Sequence, residues 1–468
     1  MLNQLGKAFG GVVTFTALIS ILSFYNLIFL SDIGYAFIYL FFGFLFIESL
    51  TSSYNKNRYL LLLVQTLIWF KYYYIPLLIL SQSEYDSPFG LIDKSSYILS
   101  TIYALVCMYA IRLAYLIASS LLINRKRKND LSELYNLKIP NSFFFLGLIS
   151  VFVFLIIHKA SSLSSDFSNR LIENQGGGFL HIFGYIGYFL SLYCSISFVR
   201  NCGKLTSLKA LLVLLSMFLF GTFFLLLGYR GGFLYPLIFF FIVYYAFKVT
   251  NFRSIFVYLL ILLFLVFEIN WFTGAIRIIV SRGDDFNVEN LVSSYNAYKS
   301  MYLIPMAFNH IDLTALYITN NELRLLTGSF NTVIPTFFNW IPRALMSDKE
   351  LTTGALMAVE IFPGAIGTQG RTSSLTTGVI FESIYNYGLL IGPLFLMIFY
   401  TFVFYLIKAL SKKGGVFFIL SILLIWNFAF SIFFDDFGGG VNKLITLLLT
   451  TFIVYFFYSV SRVLNKNA

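Results

Sequence analysis

The stretch Leu389-Leu390-Ile391-Gly392-Pro393-Leu394-Phe395-Leu396-Met397-Ile398-Phe399-Tyr400-Thr401-Phe402-Val403-Phe404-Tyr405-Leu406-Ile407 holds nineteen consecutive residues and no charge. As a helix it rises roughly 28 Å, close to the ~30 Å hydrocarbon core of a bilayer. With its flanks it reads as a membrane span over 376–408. Comparable runs recur at 11–30, 33–51, 59–81, 96–123, 142–158, 179–199, 210–228, 233–248, 255–275, 416–434 and 442–461. The expectation is an all-α polytopic membrane protein with about 12 transmembrane helices.

Composition agrees. Of 468 residues, 59% are hydrophobic and 11% charged, with 56 Phe and 32 Tyr. Soluble domains carry roughly 25% charged residues, so polar groups here are too few to cover a water-facing surface. The net charge is +11, but most cations sit in short loops between apolar runs, which points to membrane topology rather than nucleic acid. Cys107 and Cys194 fall in spans and Cys202 in a basic loop. No disulfide is expected, and no Cys/His spacing suits a metal. The first apolar run lacks a small-residue cleavage site and reads as a retained span.

One set of connecting loops holds Lys56 and Arg58, Arg125–Lys128, Arg200 and Lys204, Lys248 and Arg253, Lys412 and Lys413, and Arg462 and Lys466. The other short loops hold only Lys94, Lys159, Arg170 and Arg230. The positive-inside rule then makes the first set, and both termini, cytoplasmic. Three regions follow: a bundle over 1–275, one large extracytoplasmic loop over 276–375, and a second bundle over 376–468. The loop holds Pro305, Pro335, Pro342 and Pro363, and it is too apolar for disorder. Val288–Ala307 and Leu313–Leu326 look helical, so the expectation is a folded cap over the bundle. Phe337–Ile341 suits the headgroup zone.

Several residues in this frame can carry chemistry. Gly228-Tyr229-Arg230-Gly231-Gly232 is a short outward turn that either mounts Arg230 rigidly at the membrane edge or lets it reach headgroup phosphate. The loop cations are Arg277, Arg282, Lys299, Arg324, Arg343, Lys349 and Arg371. Arginine's planar fork suits phosphate oxygens, but eight acids against seven bases rule out a bulk basic funnel. Thr376 to Gly388 places Glu382 and Asn386 one helical turn apart at the head of a span. Glu382 is either a general base or an arginine's clamp. His310 is a second candidate base, while His158 and His181 read as interfacial. Glu48, Lys71, Arg112 and Glu268 are ionisable residues inside spans, either paired or marking a pathway. Asp435-Asp436 reads first as a turn. Phosphate-loop, zinc-protease and dinucleotide motifs are missing. An outward-facing enzyme would then need an already activated, membrane-borne substrate.

The Gly-Tyr-Arg-Gly turn at 228–231, the late loop, Ile341-Pro342-Arg343, and the Ser/Thr-rich segment Thr372–Thr377 leading to Glu382, Tyr385, Asn386, Tyr387 and Gly388 together resemble bacterial O-antigen polymerases. These polymerise oligosaccharide repeat units in lipopolysaccharide and polysaccharide biosynthesis. The resemblance implies a GT-C-like glycosyltransferase of the inner membrane. It implies transfer of the growing glycan from undecaprenyl pyrophosphate to the non-reducing end of a new lipid-linked unit. On this sequence Arg230, Arg343 and Arg371 hold pyrophosphate, with Arg277 and Arg282 as further candidates. Glu382 or His310 acts on the acceptor hydroxyl, and Asn386 and Trp340 contact glycan. No metal or other cofactor is implied. The partners are the lipid-linked oligosaccharide, membrane lipid and a chain-length regulator protein.

Two rival readings stand beside it. An O-antigen ligase transferring glycan to lipid A core resembles the chain too, but ligases of that family usually carry a histidine where Thr376 and Thr377 stand. A lipid-linked oligosaccharide flippase spreads charges through many spans, whereas the polar residues here gather in one loop.

Overall fold

The computed structural model describes residues 33–56, 58–80, 92–122, 287–301, 311–319, 377–413, 415–430 and 437–464, two short strands, and scattered positions that include 268, 271, 272, 274–276, 353 and 432. The expected spans at 11–30, 142–158, 179–199, 210–228 and 233–248 lie outside the described residues, and 255–275 is described only at scattered positions. So do Cys194, Cys202, His158, His181, the Gly228–Gly232 turn, Phe337–Ile341 and Asp435-Asp436.

The described chain is almost entirely helical. Helix α1 spans Ile33–Asn55 and α2 spans Tyr59–Trp69. A π turn at Phe70–Tyr74 links α2 to α3, Ile75–Leu80. Helix α4 covers Lys94–Ser120, α5 Val288–Met301 and α6 Ile311–Thr319. Then come α7 at Val379–Lys413, α8 at Gly415–Phe430 and α9 at Phe437–Leu464. The all-α expectation needs one correction. Strand β1, Ile366–Gly367, pairs antiparallel with β2, Arg371–Thr372, Gly367 facing Arg371. Glycine near the turn keeps such a short hairpin open to tight geometry, which helical periodicity cannot signal.

Among the described residues, four helical stretches are long and apolar enough to cross a membrane: 36–54, 60–80, 94–120 and 379–413. Their outer faces say which solvent they meet. On α7, Leu390, Leu394, Ile398 and Phe402 recur every fourth residue and are 54–88% exposed. On α1, Phe37, Phe41 and Phe44 form a similar stripe. Leaving each such side chain in water forfeits about 1.5–3 kcal/mol, and lipid removes that cost. These stripes are the signature of a membrane-embedded bundle.

Inside the bundle, α7 packs along α4, and α8 and α9 follow in turn. Hydrogen bonds join helices where hydrocarbon offers none. The Gln65 amide donates to Ser49 at 2.8 Å and accepts from Ser53 at 2.7 Å, tying α2 to α1. Pro76 brings no N–H to the carbonyl four residues back, that of Tyr72, and the Thr101 hydroxyl of α4 donates to that oxygen at 2.8 Å. The helix can therefore bulge at Phe70–Tyr74 without stranding the group.

One helix of the late loop packs directly on the bundle. Ile311, Asp312, Leu313, Thr314, Ala315, Tyr317 and Ile318 of α6 are all buried, because α6 packs against α4 and α7. Its sequence has no polar face to present to water.

Candidate functional site

The first turn of α7 gathers several buried polar groups. Gly378 precedes it with φ +80°, a conformation nearly closed to other residues. A Cβ there would also strike the Ile432 carbonyl and sit 2.9 Å from the Lys71 ammonium. That space is filled by Lys71, which is fully buried. Its ammonium donates to the carbonyls of Thr377 at 3.3 Å and Ile432 at 3.0 Å. Three separate chain segments are thus tied by one cation. The π turn aims Lys71 inward; π bulges recur at functional sites.

Glu382 lies one turn further on and is 2% exposed. Its carboxylate accepts a hydrogen bond from the Thr353 hydroxyl at 2.7 Å and another from the backbone N–H of Phe437. Phe437 is the first residue of α9, whose opening N–H groups have no partner within their own helix. Glu382 therefore caps α9 from another helix, and both helix N-termini favour its negative charge. Both oxygens act as acceptors, as suits an ionised carboxylate. Asn386 sits one turn on and donates from its side-chain amide to the Glu382 backbone carbonyl at 3.0 Å.

Asp312 of α6 is completely buried and accepts from the Tyr97 hydroxyl at 2.7 Å. The Tyr103 and Ser383 hydroxyls are 2.8 Å apart, joining α4 to α7. Among the described residues the buried Thr377 hydroxyl has no hydrogen-bond partner, while the Tyr72 hydroxyl faces Thr314 and the Phe381 backbone. The result is a polar seam within an apolar bundle, flanked by Tyr317 stacked edge-on to Phe381 at 5.9 Å.

Of the residues singled out in the sequence, Glu382 and Asn386 meet in this seam. Arg371 lies on β2, six positions before Thr377. Arg230, Arg277, Arg282, His310, Trp340 and Arg343 lie outside the described residues. The span-borne charges sort into two kinds. Arg112 pairs with Glu48 at 3.6 Å, and Glu268 with Lys299 at 3.1 Å, and Lys71 donates to two backbone carbonyls. In the late loop, the Tyr295 hydroxyl and Glu268 carboxylate hold the Lys299 ammonium above the usual lysine range. Lys299 also stands 4.5 Å from the Trp271 ring centroid.

Sequence reading missed Thr353, Tyr97, Tyr103 and Ser383. Hydroxyls give no periodic signal, and their partners lie 29 to 280 positions away. Asp312 was readable only as an acid near the start of a helix. No protein-family model matches the chain, and no curated protein or solved structure matches it.

Proposed function

We propose that the chain is a membrane glycosyltransferase that polymerises lipid-linked oligosaccharide repeat units. In this reading about 12 spans form a GT-C-like bundle, both termini face the cytoplasm, and the 276–375 loop lies outside the bacterial inner membrane. The growing glycan leaves undecaprenyl pyrophosphate as its anomeric C–O bond breaks, with the electron pair passing to pyrophosphate. The terminal sugar hydroxyl of a new unit forms the replacement bond and loses its proton. Arg230, Arg343 and Arg371, with Arg277 and Arg282, stabilise the departing pyrophosphate. Arginine stays charged at all relevant pH, so the step needs no metal.

The observation that carries the reading is the setting of Glu382. A buried carboxylate stands at the head of a membrane helix where the late loop rejoins the bundle, with a loop hydroxyl, Thr353, upon it. A carboxylate at such depth is costly unless used or paired. The donors Thr353 and Phe437 suit a positioning role, fixing the loop on the membrane edge, and His310 or pyrophosphate itself takes the acceptor proton. Asn386 on the same turn and Trp340 in the loop are the candidate glycan contacts.

Deleting the gene and resolving surface polysaccharide by gel tests this. The expected product is acceptor bearing one repeat unit. Bare core with long chains still on the carrier marks a ligase instead. Units trapped on the cytoplasmic side mark a flippase, and an unchanged ladder refutes all three. In the restored strain, Arg230→Ala, Arg343→Ala and Arg371→Ala should each stop elongation with the protein still present. Full activity in all three overturns the pyrophosphate assignment.

A further inference from the structure

At the opposite end of the bundle from Glu382, three cations converge, with no paired carboxylate among the described residues. Arg58 opens α2, and Lys408 and Lys412 lie on the last turns of α7. Arg58 and Lys412 both stand near enough to Lys408 to repel it. Lys408 lies 3.5 Å from the Tyr115 ring centroid and donates to the Ser119 hydroxyl. Lys412 donates to the Leu122 carbonyl at 2.9 Å, just past the end of α4. These contacts are neutral. Among the described residues none of the three cations has a carboxylate partner, and Glu48, the acid further along this end, is paired with Arg112. All three are partly buried, so water screens their repulsion only in part.

On the same stretch of α4, Leu116 is 38% exposed, one turn before Ser119. Fixed positive charge next to an apolar face matches a molecule with an anionic head and hydrocarbon tails. We propose that Arg58, Lys408 and Lys412 form a binding site for the phosphate headgroup of an anionic glycerophospholipid. The tethered amines hold the phosphate oxygens, the Tyr115 ring and Ser119 fix Lys408 in place, and the acyl chains lie along α4. Such a lipid neutralises the repulsion and pins the start of α2 to the ends of α4 and α7. This site is independent of the glycosyl-transfer reading.

The full chain in neutral detergent supplies the test. Its melting temperature is followed against phosphatidylglycerol, phosphatidylcholine and inorganic phosphate. Phosphatidylglycerol is expected to raise it saturably, and the other two to leave it unmoved. Lys408→Gln/Lys412→Gln should raise the half-saturating lipid concentration on the order of thirtyfold, from about fivefold per cation. Lys56→Gln/Lys413→Gln removes two exposed charges from the same end and should leave that concentration unchanged. An equal response to phosphatidylcholine overturns the site, and an equal response to phosphate overturns its lipid identity. Equal weakening by both double variants overturns it in favour of diffuse surface charge. The wild-type comparison of the two lipids decides even where a variant does not fold.

Discussion

Lys71 donates its ammonium to the backbone carbonyl of Thr377, 306 positions away in sequence, and to that of Ile432 beside it. An ammonium deep in a bundle is stable only while oxygens surround it. Lys71→Met keeps the aliphatic stem but leaves both carbonyls short of a donor. At about 1–3 kcal/mol for each buried unsatisfied group, the variant is expected to melt lower by several degrees in detergent. Lys71→Arg should do no better, because Gly378 leaves no room for a guanidinium. Wild-type melting of Lys71→Met would show that the carbonyls do not depend on the cation.

Gly378→Ala tests the same junction from the other side. Positive φ costs a non-glycine residue roughly 1–2 kcal/mol, and the added Cβ meets the Ile432 carbonyl. A loss of about 2 kcal/mol or more is expected, read as reduced thermal stability with glycan elongation falling alongside. Gly440→Ala is the control, since a Cβ there meets only the Phe428 ring at 3.9 Å.

Glu382 separates positioning from proton transfer. Glu382→Gln retains an oxygen for one of its donors, Thr353 or Phe437, but loses the charge that caps α9. A positioning residue predicts partial elongation with an unaltered pH profile. A general base predicts loss of elongation on the order of 10²-fold or more. Elongation assayed with lipid-linked repeat units across pH distinguishes them.

Much of the architecture was legible before any coordinates. The apolar runs at 33–51, 59–81, 96–123, 376–408, 416–434 and 442–461 became α1 to α4 and α7 to α9 within a few residues, because lipid demands long uninterrupted helices. The interruptions were not legible. The π turn at Phe70–Tyr74 depends on the donor that Thr101 supplies to the Tyr72 carbonyl, and α7 is broken at Gly388, with φ +71°. At the site, Glu382 and Asn386 followed from helical spacing, whereas the role of Lys71 did not. The two carbonyls it bonds are groups that every residue carries and no sequence pattern marks.

Asp312 and Tyr97 offer a cleaner energetic test. The phenol donates to a fully buried carboxylate at 2.7 Å, and hydrogen bonds to charged groups contribute about 1.5–3 kcal/mol. Tyr97→Phe and Asp312→Asn should be strongly non-additive in a double-mutant cycle. Simple additivity of their melting shifts would mean the bond contributes nothing.

Lys299 sets an alkaline limit. The Tyr295 hydroxyl and Glu268 raise its pKa, so its contribution is complete below the unfolded lysine value of about 10.4 and is lost as pH rises through the higher folded value. Helix α5 should therefore detach from the Trp271 region only in strongly alkaline buffer. Tyr295→Phe should bring that onset to lower pH, with Trp fluorescence as the readout. An onset near neutrality in wild type contradicts the assignment.

The burial of α6 against α4 and α7 bears on how such chains diversify. If residues 276–375 choose the sugars, exchanging that segment between related genes would be the obvious way to acquire a new specificity. Yet Asp312 would arrive without its Tyr97, and Thr353 without its Glu382. Recombination confined to the segment should yield misfolded hybrids, and viable ones should carry compatible versions of α4 and the head of α7 along with it.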